Sequence, residues 1–162
     1  MTKNVAQTWH NYRPYQTPIQ CPATGLVFKS PEHLFNAKKS LKLSDQRHVA
    51  AAGSSGEAKA RGRRVKLREE WDERIKEDVM FYALMKRAET EPEFLKALLA
   101  ATDDELVEWN RHHDNEWGLC LCQGCYGKKR SKHLLQKTLI RVRNVLSFVD
   151  DSEPEQQQLS LS

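Results

Sequence analysis

The 162-residue chain is short of several features that would narrow its class at once. No apolar run reaches the ~20 residues needed to cross a bilayer, so no membrane partner is expected. Met1-Thr2-Lys3-Asn4-Val5-Ala6-Gln7 lacks the apolar core of a secretory signal, and the expected location is cytoplasmic. Charge of neither sign dominates: 26 Lys and Arg stand against 22 Asp and Glu, a net of +4. That excess permits a phosphate-bearing substrate without demanding nucleic acid. Cysteine is limited to four residues, which in a cytosolic chain read as buried thiols or metal ligands rather than disulfides. The common catalytic signatures are missing too. Gly53-Ser54-Ser55-Gly56 is followed by Glu57 instead of Lys-Ser or Lys-Thr, which fits a phosphate loop poorly. There is no dinucleotide glycine pattern, no Gly-x-Ser-x-Gly elbow and no His-Glu-x-x-His pair.

What is present fits one mainly α domain, with 39% hydrophobic and 30% charged residues. A chain of this length can bury roughly two-thirds of its unfolded surface around a single core. Residues 1–30 carry Pro14, Pro18 and Pro22 among scattered aromatics and show no helical period. Short extended segments are expected there, with Cys21-Pro22-Ala23-Thr24-Gly25 as a turn before Leu26-Val27-Phe28. Helices are expected at about 31–41, 44–52 and 54–62. Leu67, Trp71, Ile75, Val79 and Tyr82 recur every three or four residues, predicting an amphipathic helix from about Leu67 to Ala88. Thr90-Glu91-Pro92-Glu93 restarts a helix that carries Phe94, Leu95, Leu98 and Leu99. Leu106-Val107-Glu108-Trp109 reads as a short strand, and residues 110–131 as a loop rich in His, Cys, Gly and Lys. A last helix over about 132–149 buries Leu135, Leu139, Val142, Leu146 and Val149. The domain is therefore expected to span 1–149, with an acidic, Gln-rich and disordered tail over 150–162.

The most informative local pattern is Ser30-Pro31-Glu32-His33-Leu34-Phe35-Asn36-Ala37-Lys38-Lys39. Ser30 suits an N-cap, Pro31 a first helical position, and Glu32 the positive end of the helix dipole. Glu32, Asn36 and Lys39 then fall nearly on one line along a helix at i, i+4 and i+7. Taken alone, Glu32 is a dipole partner and Lys39 a solvated charge.

The cysteines form a second constellation. Cys120-x-Cys122-x-x-Cys125 is compact, and Cys21 lies in the proline-flanked turn. Four thiolates can complete a closed, structural zinc site, with His112, His113 or His133 as a replacement for one of them. Plain thiols are the alternative.

Motifs spread along the chain carry a resemblance. Trp9-His10-Asn11-Tyr12, Ser30-Pro31-Glu32-His33 with Ala37 and Lys39, Glu57-Ala58-Lys59 with Gly62-Arg63, and Trp71 with Val79-Met80 and Ala83-Leu84 follow one another. Leu98-Leu99-Ala100-Ala101-Thr102 with Leu106-Val107-Glu108, then Asp114-x-x-Trp117-Gly118, then Val142-x-x-Val145 around Arg143 complete the series. In this order the chain resembles the YbiA-like, or NADAR (NAD and ADP-ribose associated), N-glycosidase family. It departs from the family pattern in four places: Asn36 stands where Gln is usual, Ser40 where Phe is usual, Arg87-Ala88 in place of Lys-Phe, and His133-Leu134-Leu135-Gln136 in place of Asn-x-Leu-Gly.

The resemblance implies a YbiA-like fold and hydrolysis of the bond between a ribosyl carbon and a nitrogen base. It implies two substrate classes: phosphorylated ribosylamino-pyrimidines of riboflavin synthesis, and ADP-ribose attached to guanine, free or on nucleic acid. It implies Glu32, Lys39 and Asp114 as catalytic residues. Asn11, Asn36, Arg63, Trp71, Trp117, Gly118 and His133 would bind substrate, and no cofactor is required for catalysis. Two other readings stand beside the enzyme. One is a non-catalytic module that binds ADP-ribose or nucleotides. The other is a nucleic-acid-binding zinc protein using the basic run Lys128, Lys129, Arg130 and Lys132. The tail Gln158-Leu159-Ser160-Leu161-Ser162 resembles a peptide that docks on bacterial sliding clamps, but lacks its closing Phe, which weighs against such docking.

Overall fold

A computed structural model describes residue 9 and residues 11–150. The tail motif at residues 158–162 lies outside the described residues, as does His10. The order is two short strands, three short helices, two further helices joined by a proline, a second two-stranded pair, and a closing helix. The described residues form one mainly α domain, as the periodicity predicts.

The N-terminal arm forms the expected turn. Strands β1 (Ile19–Gln20) and β2 (Val27–Phe28) pair antiparallel, with Ile19 opposite Phe28. Cys21 O accepts from Gly25 N at 2.8 Å, and Gly25 adopts φ 69, a left-handed conformation that glycine takes without strain.

Helix α1 (Pro31–Ala37) starts as predicted. Ser30 is extended, and its hydroxyl accepts from His33 N. The helix ends four residues earlier than expected. Beyond Ala37 the amides of Lys39 and Ser40 turn to acceptors three residues back, Asn36 O and Ala37 O, each at 3.4 Å. Lys39 therefore sits just outside the helix on a tightened turn. Every residue of α1 is buried.

Helices α2 (Leu43–Ala50) and α3 (Ser55–Gly62) pack on α1. Gly62 makes the α1–α3 approach possible. A Cβ built there would stand 2.5 Å from Asn36 Cβ, far inside contact distance.

The long helix differs from the sequence expectation at its start. Residues 67–70 are not helical: Arg68 N donates to Lys39 O at 2.8 Å, and Glu70 takes φ 56. The chain then enters a π-helical turn, Trp71–Ile75, in which Ile75 N reaches back to Glu70 O at 3.2 Å. Such turns are frequent at functional sites because they re-aim side chains. Helix α4 (Lys76–Thr90) follows, then α5 (Pro92–Ala100), with Pro92 in its first turn. The expected strand at 106–109 is split. Asp104–Leu106 is a 3₁₀ turn, and β3 (Trp109–Asn110) pairs in parallel with β4 (Leu119–Cys120). Helix α6 (Leu134–Asp150) closes the fold.

Two apolar clusters flank α1. Phe35 joins Trp9, Trp71, Leu84, Leu98 and Leu139 on one side, while Leu34 and Ala37 join Phe28, Val49, Ala58 and Ala83 on the other. Arg87 and Glu91, both buried, pair at 3.0 Å, and Glu91 Oε1 accepts from Gln16 N, tying the N-terminal arm to α4.

Adding a methyl at the α1–α3 contact tests this packing. Gly62→Ala is expected to lose about 1–3 kcal/mol of stability through overpacking, read as a lower urea midpoint at unchanged slope.

Candidate functional site

Helix α1, the loop after it, α3, the π-turn and the 108–117 loop surround one cavity of about 410 Å³. That lies within the usual range for small-molecule sites. Glu32 opens onto it from the first turn of α1 yet is only 7% exposed. Its amide donates to Asn11 O at 3.2 Å. Asn36, one turn on, donates from Nδ2 to both Glu32 O (2.9 Å) and Glu32 Oε1 (2.8 Å). The polar stripe thus has a defined purpose within the helix: the amide holds the carboxylate in one orientation. Gly62, by pressing against Asn36, holds the amide.

Electrostatics set the character of the cavity. Burial raises the Glu32 pKa, only partly opposed by the Asn36 hydrogen bond and by the charges of Lys59 and Lys39. Burial lowers the Lys39 pKa. Glu32 opposes that shift, while Lys59 and Arg63 reinforce it by repulsion. Lys59 and Arg63 therefore lie within electrostatic reach of Lys39, and all three line the cavity. Three converging cations next to a buried carboxylate favour an anionic ligand.

Aromatic rings form another wall. Phe35 stands between Trp71 and Trp117, with ring centroids at 5.1 and 5.2 Å. Trp71 is 4% exposed and belongs to the core as well as to the cavity lining. On the opposite loop, Asp114 Oδ1 accepts from Glu116 N and Trp117 N, both at 2.9 Å. Asn110 brackets the same turn: its Nδ2 donates to Asp114 O at 2.7 Å, and its Oδ1 accepts from Asp114 N at 3.2 Å. Glu116 pairs with Lys76 at 2.7 Å, fastening the loop to the start of α4.

Of the ten residues expected to act in catalysis or substrate binding, eight line this cavity: Asn11, Glu32, Asn36, Lys39, Arg63, Trp71, Asp114 and Trp117. Gly118 and His133 stand outside its lining. Gly118 serves the backbone instead, since a Cβ there would meet Glu108 O at 2.6 Å. His133 leads into α6 with φ 52, its amide held by Ser131 Oγ at 3.1 Å. The cavity also holds Glu108, a candidate through its motif, His112 and His113, expected only as possible zinc ligands, and Tyr12, Lys59 and Lys76, which the sequence analysis did not place among the site residues. Lys59 lies in the Glu57-Ala58-Lys59 motif, which was the available signal. His33 stands outside the lining of this cavity. It is 2% exposed and joins Ser30 Oγ (2.7 Å) to Ala52 O (3.1 Å), a structural strap.

The family model for the NADAR domain matches residues 2–147. The chain belongs to the NADAR domain family. The NMR structure of the Escherichia coli protein YbiA is similar to it, with a TM-score of 0.75 at 28% identity, covering 93% of this chain and 84% of YbiA. No curated protein matches. NADAR proteins are associated with N-glycosidase activity. Among the family motifs, the Glu32 helix, the Lys59–Arg63 segment and the Asp114–Trp117 loop converge on the cavity, whereas the His133–Gln136 departure falls away from it.

The cysteine expectation needs correction. His113, Cys120, Cys122 and Cys125 come together, with one ligand atom from each within 4.8 Å of every other. Cys21 is not among them. Its turn lies beside α1, where Lys38 Nζ donates to Cys21 Sγ at 3.6 Å. Among the described residues no helix is long and apolar enough to cross a membrane.

The raised Glu32 pKa has a measurable consequence for stability. Glu32 binds its proton more tightly folded than at its ordinary value of 4.5. Its contribution is fully present below that value and is lost as pH rises through the folded pKa. Glu32→Gln is therefore expected to gain Tm relative to wild type on going from acid to neutral pH, with thermal unfolding across that range as the measurement. A pH-independent difference contradicts the shift.

Proposed function

We propose that the protein is an N-glycosidase that hydrolyses the bond between a phosphorylated ribosyl or ADP-ribosyl group and a nitrogen base. The observation that carries this reading is the buried, oriented Glu32 carboxylate beside Lys39, Lys59 and Arg63 in a cavity walled by Trp71 and Trp117. Cleavage of such a bond builds positive charge on the sugar ring. A carboxylate fixed in a low-dielectric wall stabilises that charge and can activate water. The cations suit the substrate phosphates, and the tryptophans suit a flat base. Asn11 Oδ1 is buried and unbonded among the described residues, suited to accept from a ribose hydroxyl. Asp114, with one oxygen committed to its own loop, presents a carboxylate of fixed direction for a second hydroxyl or for water.

Lys39 supports two roles. As a cation it pairs with phosphate. With its pKa lowered by burial and by its neighbours, its neutral amine can instead add to C1 of the ring-opened ribosyl imine and expel the base as its amine, leaving a Schiff base on Lys39 that water then hydrolyses. Neither role calls for a cofactor. The substrate classes are ribosylamino-pyrimidine phosphates and ADP-ribosyl-guanine, free or carried on nucleic acid.

The test is turnover of a riboflavin-pathway ribosylamine phosphate and of ADP-ribosyl-guanosine by wild type, Glu32→Gln and Lys39→Met. Wild type is expected to release base from one of them, and Glu32→Gln to lose about 10²–10⁴-fold in kcat. Borohydride trapping with mass spectrometry separates the two Lys39 roles, since only the Schiff base leaves a reduced adduct on Lys39. Saturable binding of both compounds without any turnover would replace the enzyme by a binding module.

A further inference from the structure

We propose that His113 Nδ1 and the Sγ atoms of Cys120, Cys122 and Cys125 hold one zinc ion, and that this ion fixes the loop carrying Asp114 against the cavity. The four donor atoms lie within 4.8 Å of one another. His113 Nδ1 is 3.3 Å from Cys122 Sγ and 3.4 Å from Cys125 Sγ. Zinc–sulfur and zinc–nitrogen bonds of about 2.3 and 2.0 Å give a tetrahedron whose nitrogen–sulfur edges are about 3.5 Å. The observed spacing is that of a site ready to close on an ion. All three cysteines are free thiols, with Cys120 and Cys125 almost wholly buried.

The local backbone builds the site. Cys122 O accepts from Cys125 N at 3.0 Å and from Tyr126 N at 2.9 Å, a tight turn that sets the Cys-x-x-Cys pair side by side. Cys120 comes from β4, and His113 from the loop between β3 and β4. His113 adopts φ 68, a left-handed conformation that histidine takes more readily than most side chains. Three thiolates and an imidazole form a soft donor set that selects zinc over magnesium, calcium or manganese. On binding, three thiol protons pass to solvent and the imidazole enters neutral. Four protein ligands leave no position for water, so the ion is structural.

The functional consequence lies in the position of His113. It precedes Asp114 directly and itself lines the cavity. The 111–118 loop is anchored by the two-residue parallel pair, by the Glu116–Lys76 contact, by Trp117 against Phe35, and by Lys132 N, Leu134 N and Leu135 N, which donate to Asn115 O, Glu116 O and Trp117 O. Zinc would add a staple one residue from the Asp114 carboxylate, so that metal binding sets the geometry of the cavity wall. This inference stands on the donor geometry and does not depend on the proposed reaction.

The experiment uses the full chain, reduced and purified without chelator. Metal analysis is expected to find about one zinc per chain, largely lost in Cys122→Ser and retained in Cys21→Ser. Cobalt added to metal-free wild type is expected to give thiolate charge-transfer bands with tetrahedral visible bands. This readout holds even if Cys122→Ser does not fold. Heteronuclear NMR is expected to show amide shifts at Asp114 and Trp117 on zinc addition. Folded wild type that neither carries nor takes up zinc, a weak octahedral cobalt spectrum, or loss of zinc in Cys21→Ser would overturn the site. Zinc uptake with unmoved Asp114 and Trp117 signals would overturn its role in the cavity.

Discussion

The burial of a polar helix end governs this molecule. Helix α1 lies between two apolar clusters with all of its residues inside, including a carboxylate and an amide. An ionisable group in that position is tolerated only when its bonding capacity is met. Asn36 meets part of it, at Oε1, from one turn along the same helix, and Gly62 allows α3 to close over the pair. The Ser30 cap and the His33 strap to Ala52 fix where the helix begins. If any of these were displaced, the carboxylate would lose either its orientation or its dry surroundings.

The same arrangement gives the cavity its chemistry. Desolvation disfavours charge on both Glu32 and Lys39, and repulsion among Lys39, Lys59 and Arg63 disfavours it further on the amine. These are unfavourable terms for the unliganded protein. In the proposed reaction they would become favourable, as an anion enters beside the cations and positive charge develops near the carboxylate. A site that is strained electrostatically when empty is therefore consistent with a catalytic function, and the surrounding apolar packing stabilises the fold around it.

Much of this was legible in the residues. Capping chemistry located the start of α1, three- and four-residue spacing located α4, α5 and α6, and the Cys21–Gly25 turn was readable from Pro and Gly alone. Ordered short motifs carried the family, and with it eight of the residues that line the cavity. The boundaries were less legible. The π-turn before α4 and the early end of α1 are joined by Arg68 N donating to Lys39 O, a contact between segments almost thirty positions apart that no local pattern encodes.

Local physical chemistry was enough to determine a mainly α domain, a capped helix carrying Glu32, and a compact thiol cluster, because caps, periods and short spacings act over a few residues. Tertiary structure decided which groups meet. It brought Lys59 and Arg63 from α3 and its C-cap, Trp71 from the π-turn, and Asp114 from the β3–β4 loop to one cavity, and it put His113 rather than Cys21 beside the three cysteines. Such meetings follow from the close approach at Gly62 and the path of the chain around α1. They are long-range packing constraints, and the order of residues along the chain does not record them.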